Sequence, residues 1–385
     1  METAVDPIPV LDALVRIRSH EQVGEAAAHL AGRLEKLARH GVRLTVTDVP
    51  GQESGQRNVR AEWGEGKRSL TLNSHMDTVP PSAEWTTDPF VPVVEGDRFT
   101  ALGAADAKGC LASMLAAFET VVSTVSPDRG RLVYSAVALE EGAGLGAQAE
   151  VARGLRTDAV IVGEPTDLEV CVAHKGVLRM RVTVIGKAAH ASEPWEGRNA
   201  IVGMRVVLDE LERLSARVSE RSEEPVGRAT LAVTMIEGGT AQNVIPAKCV
   251  LVLDRRLLPR ESAAEARAEI QNAVSTALRE AGLSGGVKEI SLGDSASTPA
   301  DSDVARTVLS ALAANTGGVH RTRGFGACCD MYHFARAGGM PTVILGPGSL
   351  SQAHHAQEWV SPTEVRRAPA VYTDIIRRWF GVTQD

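Results

Sequence analysis

The chain has 385 residues, of which 44% are hydrophobic, and its 41 basic and 48 acidic side chains give a formal net charge of -7. This length exceeds what one ordinary core organises, so we expect two domains. The negative charge argues against nucleic acid or an anionic membrane as the main partner. No apolar run approaches the roughly 18–20 residues of a transmembrane helix, and the N-terminus lacks the basic-then-apolar pattern of an export signal. The five scattered cysteines do not resemble a disulfide framework, so we expect a cytoplasmic protein.

The first part of the chain alternates apolar strands with helices. A strand over 70–74 precedes an amphipathic helix over 108–122, and a strand over 133–139 precedes a helix over 146–155 and a buried strand over 159–163. Continuous apolar strands that alternate with helices indicate a mainly parallel sheet covered on both faces.

From about Gly176 the pattern changes to alternating strands with charges on one side, which is typical of a half-exposed sheet. Two helices and three strands of this kind predict an inserted α+β domain over 177–291. The predicted elements are strands over 177–186, 229–239 and 247–257, a helix over 200–215 and a long helix over 261–281.

After about Leu292 the parallel pattern returns, with helices over 301–315 and 330–338, a buried strand over 342–346 and a final helix from Pro362. The first domain is therefore expected to be discontinuous and to comprise residues 1–176 and 292–385. The predicted fold class is α/β: a mainly parallel sheet with helices on both faces, interrupted by an α+β domain built from a sheet and two helices.

Histidine and carboxylate side chains cluster where the predicted strands of the first domain end. Because ligands of open α/β sheets bind at the carboxyl ends of the strands, we expect these side chains to lie together. Acids packed so closely repel one another unless a cation lies among them. Imidazole and carboxylate ligands without thiolates suit zinc, with cobalt or manganese as substitutes. In chain order these side chains are His75, Asp77, Asp106, Glu140, Glu141, Glu164 and His354.

Five ordered motifs resemble those of the dizinc peptidase and deacylase family, which includes acetylornithine deacetylase, succinyl-diaminopimelate desuccinylase, aminoacylases and glutamate carboxypeptidases. The motifs are SHMDTVP, DAKG, LEEG, GEPT and GPGSLSQAHHAQEW, and they span nearly the whole chain. Within the family, GEPTDLEVCVAHKG and LGPGSLSQAH resemble the acetylornithine deacetylase-like branch.

The resemblance implies two Zn²⁺ ions, for which Co²⁺ or Mn²⁺ can substitute. His75 and Glu164 would hold one ion, Glu141 and His354 would hold the other, and Asp106 would bridge both. The family's spacing of a histidine followed four residues later by glutamate favours His354 as the ligand, while the adjacent His355 is interpreted as a loop residue.

The resemblance also implies roles for residues beside the ligands. Asp77 would accept the second N–H of the His75 imidazole and so fix its tautomer. Glu140 would be the general base that takes a proton from the metal-bridging water and delivers it to the leaving amine. A cis peptide is expected between Asp106 and Ala107. The chain departs from the family where many members carry Gly-Arg-Gly ahead of the bridging aspartate, because Leu102 or its neighbours replace the arginine.

In the inserted domain, the segment GKAAHASEPWEGRNA resembles the family's A-H-x-S-x-P segment. It implies that His190 donates a hydrogen bond to the developing oxyanion in the active site of the partner subunit of a homodimer. GGTAQNVIPA and DRRLLP similarly imply that Asn243 and Arg256 bind the substrate carboxylate, with Arg255 the weaker candidate. The alternatives are a surface-loop histidine and an ordinary strand-end salt bridge.

Three other features have ordinary interpretations. GAGLGA at 142–147 formally matches a dinucleotide-binding fingerprint, but the two preceding glutamates would repel a pyrophosphate. Asp330 could contact a substrate amine, although an aspartate that opens a helix is usually a cap. Cys328 and Cys329 are interpreted as buried packing residues because no base accompanies them at a recognisable spacing.

These observations predict a dizinc amide hydrolase that acts on a small N-acyl amino acid or a short peptide with a free carboxylate. A carboxypeptidase or dipeptidase, or a deacylase of a specialised biosynthetic intermediate, would use the same chemistry. A metal-stabilised binding protein without catalysis is the alternative from another class. It is disfavoured because Glu140 and every ligand position are present.

Overall fold

A computed structural model describes residues 5–52 and 55–382, so the first four residues of the N-terminal segment considered above lie outside the described part. The chain forms two compact units. The first extends to Ala173 and resumes over Ser297–Phe325 and from Cys329 onward, and the second comprises His174–Ala296 with Gly326–Cys328.

The predicted helices are confirmed, with ends that differ by a few residues, except that the segment predicted as a helix over 330–338 forms a shorter π-helical turn over His333–Ala337. Side-chain caps define several of their starts: Asn199 Oδ1 accepts the N–H of Ile201 at 2.9 Å, and Ser361 Oγ accepts the N–H of Glu364 at 3.1 Å. The helices are α1 (Ile8–Val15), α2 (Gly24–Leu34), α3 (Gly109–Thr124), α4 (Glu140–Ala143), α5 (Leu145–Ala152), α6 (Ala200–Ser219), α7 (Ala263–Glu280), α8 (Asp303–Thr316) and α9 (Pro362–Trp379).

The strands follow the predicted pattern and include others that were not predicted, both short ones and the longer Arg43–Asp48, Arg57–Trp63 and Ser284–Gly293. They are β1 (Arg43–Asp48), β2 (Arg57–Trp63), β3 (Ser69–His75), β4 (Val93–Glu95), β5 (Arg98–Thr100), β6 (Arg131–Val137), β7 (Ala159–Val162), β8 (Cys171–His174), β9 (Gly176–Ile185), β10 (Ala189–His190), β11 (Ser222–Glu223), β12 (Gly227–Arg228), β13 (Thr230–Gly238), β14 (Val244–Ile245), β15 (Lys248–Leu257), β16 (Ser284–Gly293), β17 (Ala296–Ser297), β18 (Arg323–Phe325), β19 (Thr342–Ile344) and β20 (Trp359–Val360).

The main sheet of the described residues has the strand order β1-β2-β6-β3-β7-β19-β8-β17, with β18 paired to β8. Its central strands β6, β3, β7 and β19 are parallel, while β1 and β2 join one side antiparallel. Every residue of β3 is buried, as expected for a central strand of a sheet covered on both faces. The predicted α/β class with a mainly parallel sheet is therefore confirmed.

Helices α3 and α9 pack against each other in the first unit. Helix α3 is almost entirely buried, in keeping with its mostly apolar and small side chains. The parallel strands point their carboxyl ends to one edge, where β3, β6 and β7 end at His75, Val137 and Val162. That edge is where an open α/β sheet binds ligands.

The second unit contains a four-stranded antiparallel sheet in the order β13-β15-β9-β16, with α6 and α7 packed together. Strand β15 alternates exposed or half-buried with buried residues, as a sheet with one packed face requires. Strand β13 lies at an edge and is exposed along nearly its whole length. Among the described residues, the helices lack the combination of length and apolar character needed to cross a membrane.

Candidate active site and metal centre

One group of metal-ligand atoms lies at the carboxyl end of the parallel strands. His75 ends β3, Glu164 follows β7, and Asp106 lies in an irregular turn before α3. Ligand atoms of these three residues lie within 4.8 Å of one another. The His75 Nε2 atom is 3.1 Å from Asp106 Oδ1, and His75 and Glu164 are almost fully buried.

A second group shares Asp106 with the first. It consists of Asp106, Glu141 and His354, whose ligand atoms also lie within 4.8 Å of one another. The His354 Nε2 atom is 3.0 Å from Glu141 Oε2 and 3.6 Å from Asp106 Oδ2. The second carboxylate oxygen of Asp106 thus faces the second group while the first oxygen faces His75. The structure therefore assembles the five predicted ligand residues into two groups joined by one aspartate.

The electrostatics of this cluster fit a bound cation. Burial, reinforced by the charge of Asp106, raises the pKa of Glu164 well above its usual range. Burial also raises the pKa of Glu141, against the hydrogen bond from His354. The buried Glu164 Oε1 atom has no hydrogen-bond partner among the described residues. Packed carboxylates with a buried oxygen left without a partner are the arrangement that a metal ion would neutralise.

The donor set consists of imidazoles and carboxylates. Cys110 is buried nearby and its Sγ atom lies 3.5 Å from the Pro347 carbonyl oxygen, but it belongs to neither ligand group among the described residues. Burial raises the pKa of the Cys110 thiol well above its usual range, which disfavours a thiolate. These nitrogen and oxygen donors suit zinc, cobalt or manganese.

The turn that carries Asp106 is held by Glu358. Its Oε1 atom accepts the N–H groups of Ala105 at 2.8 Å and Asp106 at 3.0 Å, and its Oε2 atom accepts the N–H of Gly103 at 2.9 Å. The side chain is only 1% exposed. The Asp106–Ala107 peptide bond is cis, which confirms the prediction. Glu358 thus fixes the backbone around the shared ligand.

Asp77 differs in detail from the expectation. The carboxylate was expected to accept the second N–H of the His75 imidazole, but its Oδ1 atom lies 3.7 Å from Nδ1. The Nδ1 atom is instead 3.0 Å from the backbone carbonyl oxygen of Asp77. The carboxylate accepts the N–H groups of Glu140 at 3.2 Å and Glu141 at 3.1 Å. A carboxylate at the start of a helix satisfies N–H groups that lack intrahelical partners.

Glu140 lies beside the two ligand groups without belonging to either among the described residues. It begins the short helix α4, directly before the ligand-type residue Glu141. Burial and the charge of Glu164 raise its pKa well above the usual range. A carboxylate with a raised pKa next to a metal centre is a suitable proton acceptor and donor.

The structure describes two positions that the sequence left open: the choice between His354 and His355, and the environment of Leu102. His354 has a φ of +61° and directs its imidazole to the second ligand group, whereas His355 belongs to neither group among the described residues. Leu102 is buried, and its N–H donates to the carbonyl oxygen of Pro89. Position 102 therefore carries a buried apolar side chain.

Two of the predicted substrate-contacting residues are neighbours in the second unit. His190 in β10 pairs with Val244 of β14, and the N–H of Ala191 donates to the Asn243 carbonyl oxygen at 2.9 Å. His190 and Asn243 are both exposed. The His190 Nδ1 atom lies 2.7 Å from the hydroxyl of Ser192 and accepts its backbone N–H at 3.2 Å. Acceptance of that N–H leaves the ring proton on Nε2.

The adjacent arginines of β15 have different environments. Arg255 is fully buried and its guanidinium donates to Glu261 and to the backbone carbonyl of Arg256. Arg256 is half-buried, and its guanidinium donates to Asp254 at 2.8 Å. Of the two, Arg256 has the guanidinium with access to solvent.

The remaining sequence features have structural explanations. Residues 142–147 form the end of α4 and the start of α5 rather than one helix that opens after a strand. Cys328 is half-buried, while the other four cysteines are buried. Asp330 is 1% exposed, and its Oδ2 atom lies 3.5 Å from the Asn73 amide nitrogen.

Sequence reasoning did not identify the support provided by Glu358, Lys108 and Asn73. Glu358 was used only to select His354 by spacing. Lys108 is 1% exposed and donates to the Ile17 carbonyl oxygen at 3.2 Å, and burial lowers its pKa to about 7. Lys108 directly precedes the mostly apolar helix α3, and a charged residue beside such a core segment is the signal that could have identified it.

Comparisons with known proteins agree with this geometry. Residues 71–378 match the family described as Peptidase family M20/M25/M40. The chain is 30% identical over 358 residues to the acetylornithine deacetylase of Edwardsiella ictaluri, covering 91% of this chain and 89% of that protein.

Solved structures show the same fold. An M20 family metallo-carboxypeptidase from Sulfolobus solfataricus superposes with a TM-score of 0.80 at 18% identity, covering 98% of this chain and 99% of that one. A dinuclear metal-binding M20 peptidase from Bacillus subtilis superposes with a TM-score of 0.70 at 15% identity, covering 98% of each chain.

The family match spans most of the sequence, and the two ligand groups lie at the carboxyl edge of the parallel strands. The predicted family resemblance is therefore confirmed: the chain belongs to the M20 family of metal-dependent peptidases and related hydrolases.

Proposed function

We propose that the protein is a dizinc amide hydrolase that removes the acyl group of an N-acyl amino acid. One observation supports this most: Asp106 is shared by two ligand groups, and Glu140 lies beside them without belonging to either. A binding protein would need the ligands but not a separate carboxylate with a raised pKa. The acetylornithine deacetylase relative supports the acyl amino acid as substrate class.

In this proposal, His75 and Glu164 hold one zinc ion, Glu141 and His354 hold the other, and Asp106 bridges them. Bound zinc would polarise the scissile carbonyl and lower the pKa of a water molecule. Asp77 and Glu358 hold the backbone that presents these ligands through five N–H groups. Cobalt or manganese can substitute for zinc because the donors are nitrogen and oxygen atoms.

Glu140 is the general base. Its carboxylate accepts the proton of the attacking water and then transfers it to the departing nitrogen. Burial and the charge of Glu164 raise the pKa of this carboxyl group well above its usual range, which favours uptake of the proton from water. The neighbouring Glu141 binds metal, so the two adjacent glutamates have separate roles.

His190, Asn243 and Arg256 bind the substrate in this proposal. The ring proton of His190 lies on Nε2, which suits a hydrogen bond to the developing oxyanion. The Arg256 guanidinium suits a bidentate contact with the substrate carboxylate, and its present partner Asp254 orients it. Arg255 is excluded from that role by its burial against Glu261.

We also propose a homodimer formed through the second unit. Edge strand β13 exposes Val233, Met235 and Ile236, with Met235 66% exposed. The adjacent helix α6 exposes Ile201 and Val202. An exposed apolar edge strand beside an apolar helix patch suits pairing with the same surface of a second copy.

Release of free amine from a panel of substrates tests the proposed function. The panel contains N-acetylornithine, N-succinyl-diaminopimelate, other N-acyl amino acids and dipeptides, with zinc- or cobalt-loaded protein and a chelator-treated control. Chelator-sensitive turnover of an N-acyl amino acid is the expected result. Turnover of dipeptides alone would change the assignment to a peptidase. No turnover with two metal ions bound to the protein would contradict the enzyme proposal.

A further inference from the structure

The general base and one metal ligand lie on a helix that is too short to be stable alone. Helix α4 has four residues, fewer than an isolated helix needs to persist in water. Left-handed residues flank it: Leu139 has φ +64° and Gly144 has φ +61°. A leucine in this conformation is held there by surrounding structure. The placement of Glu140 and Glu141 therefore depends on contacts from outside the helix.

Asp77 provides these contacts at the N-terminal end. Its two carboxylate oxygens accept the N–H groups of Glu140 and Glu141 separately. The C-terminal end of a helix has the opposite need, because its last carbonyl groups have no intrahelical donor.

Two side chains approach that C-terminal end. The hydroxyl of Tyr332 donates to the Ala143 carbonyl oxygen at 3.2 Å. The His333 Nε2 atom lies 3.4 Å from the same oxygen. The two rings lie against each other with centroids 3.8 Å apart, and His333 is buried. The Ala143 carbonyl oxygen thus lies within hydrogen-bond distance of two aromatic side chains, through the Tyr332 hydroxyl and the His333 Nε2 atom.

The following residue lies so close to this pair that only glycine fits. A Cβ atom on Gly144 would lie 2.4 Å from His333 Nε2 and 2.8 Å from Asp330 Oδ1. The segment 330–333 therefore packs directly against the end of α4, and a shift of one moves the other.

We infer that Tyr332 and His333 are positioning residues for the general base, because they hold the Ala143 carbonyl and so fix the helix that carries Glu140 and Glu141. Asp77 and this ring pair hold the helix at its two ends. The inference rests on the proposed function, in which Glu140 acts as a base. Misplacement of a catalytic group by about 1 Å can cost about 100-fold in rate, so loss of one of two holding bonds is expected to reduce kcat by about tenfold.

Three variants test the inference. Tyr332→Phe removes the hydroxyl, His333→Phe keeps a ring but removes the donor, and His333→Gln returns an amide donor near the position of Nε2. Tyr134→Phe is the matched control, because the Tyr134 hydroxyl also donates to a backbone carbonyl, that of Leu111 at 3.3 Å. The assays are kcat and KM of the zinc-loaded protein, its metal content, and hydrogen exchange of a peptide that covers residues 138–146.

Tyr332→Phe and His333→Phe are expected to reduce kcat about tenfold with KM nearly unchanged and to accelerate exchange of that peptide about fivefold, as loss of one ordinary hydrogen bond allows. His333→Gln should recover part of both losses, and Tyr134→Phe should change neither property. Equal kcat and equal exchange in wild type and the two Phe variants would overturn the inference. Hydrogen exchange needs no turnover, so a wild-type protein inactive on every substrate would reject the proposed function while exchange still tests the positioning role.

Discussion

Replacement of Glu358 by glutamine tests how the shared ligand is held. The carboxylate is 1% exposed and accepts three backbone N–H groups from the turn that carries Asp106. Glutamine keeps the shape but offers one oxygen and one NH₂ group. Since Oε1 accepts two of the N–H groups and Oε2 accepts one, the amide fits best with its oxygen at the Oε1 position. Its NH₂ group then faces the N–H of Gly103, which leaves two donors opposed.

The magnitude follows from this count. A buried donor left without an acceptor costs about 1–3 kcal/mol. The glutamine would leave two such donors facing each other across a single contact, so we expect the free energy of unfolding to fall by about 2–4 kcal/mol. At roughly 2–4 °C per kcal/mol for a unit of this size, the melting temperature should fall by about 5–15 °C. Because the turn presents Asp106, metal affinity should also fall by about 10–100-fold, as is usual for partners that orient a ligand.

Thermal unfolding and competitive zinc titration measure both effects. Glu364→Gln is the matched control, because Glu364 accepts a single backbone N–H, that of Gly348 at 2.8 Å, which a glutamine oxygen can still accept. The control should lose little of either property. Glu358→Gln with the melting temperature and zinc affinity of the wild type would refute the idea that this carboxylate holds the turn.

The other predictions concern the base, the carboxylate site and the protons of the metal ligands. Glu140→Gln should lower kcat at least about 100-fold with both metal equivalents retained, because it removes the base but no ligand, and retained turnover or lost metal would contradict this. Arg256→Lys should raise KM about tenfold without thermal destabilisation, since lysine makes no bidentate contact, whereas Arg255→Lys should lower the melting temperature. A higher KM for Arg255→Lys and a lower melting temperature for Arg256→Lys would mean that the two arginines have the opposite roles. Zinc binding at pH 7 should release protons. The hydrogen bond with Glu141 raises the pKa of His354 to about 9 in the metal-free protein. The imidazole is therefore protonated below that pH and must lose its proton to bind metal. The apparent affinity for zinc should therefore rise with pH up to about 9. Calorimetry in two buffers with different protonation enthalpies measures the protons released on binding, and no release at pH 7 would contradict the prediction.

The fold could be predicted well where one physical pattern dominates. Strand β7 is buried along its length and consists of apolar residues only, and α3 has the composition of a core helix. Short strands such as β10 and β14 were not predicted, because two residues have no detectable periodicity. They matter nevertheless, since their pairing brings His190 next to Asn243.

The candidate ligands were predictable because strand ends concentrate them at one edge. Their support was less predictable, because it consists of backbone contacts over long sequence separations. Glu358 accepts N–H groups about 250 residues earlier in the chain, and no local pattern encodes such a contact. The expectation for Asp77 named the right residue but the wrong acceptor atom for His75, since its carboxylate is engaged by α4. Tyr332 was interpreted only as part of a helix, because its carbonyl partner Ala143 is visible only in three dimensions.

Anomalous diffraction at the zinc edge from crystals of the zinc-loaded protein tests the central claim most directly. Two ions are predicted, with ligand distances of about 2.0–2.2 Å. One ion should contact His75, Asp106 and Glu164, and the other should contact Asp106, Glu141 and His354. A single ion, or two ions that do not share Asp106, would contradict the account.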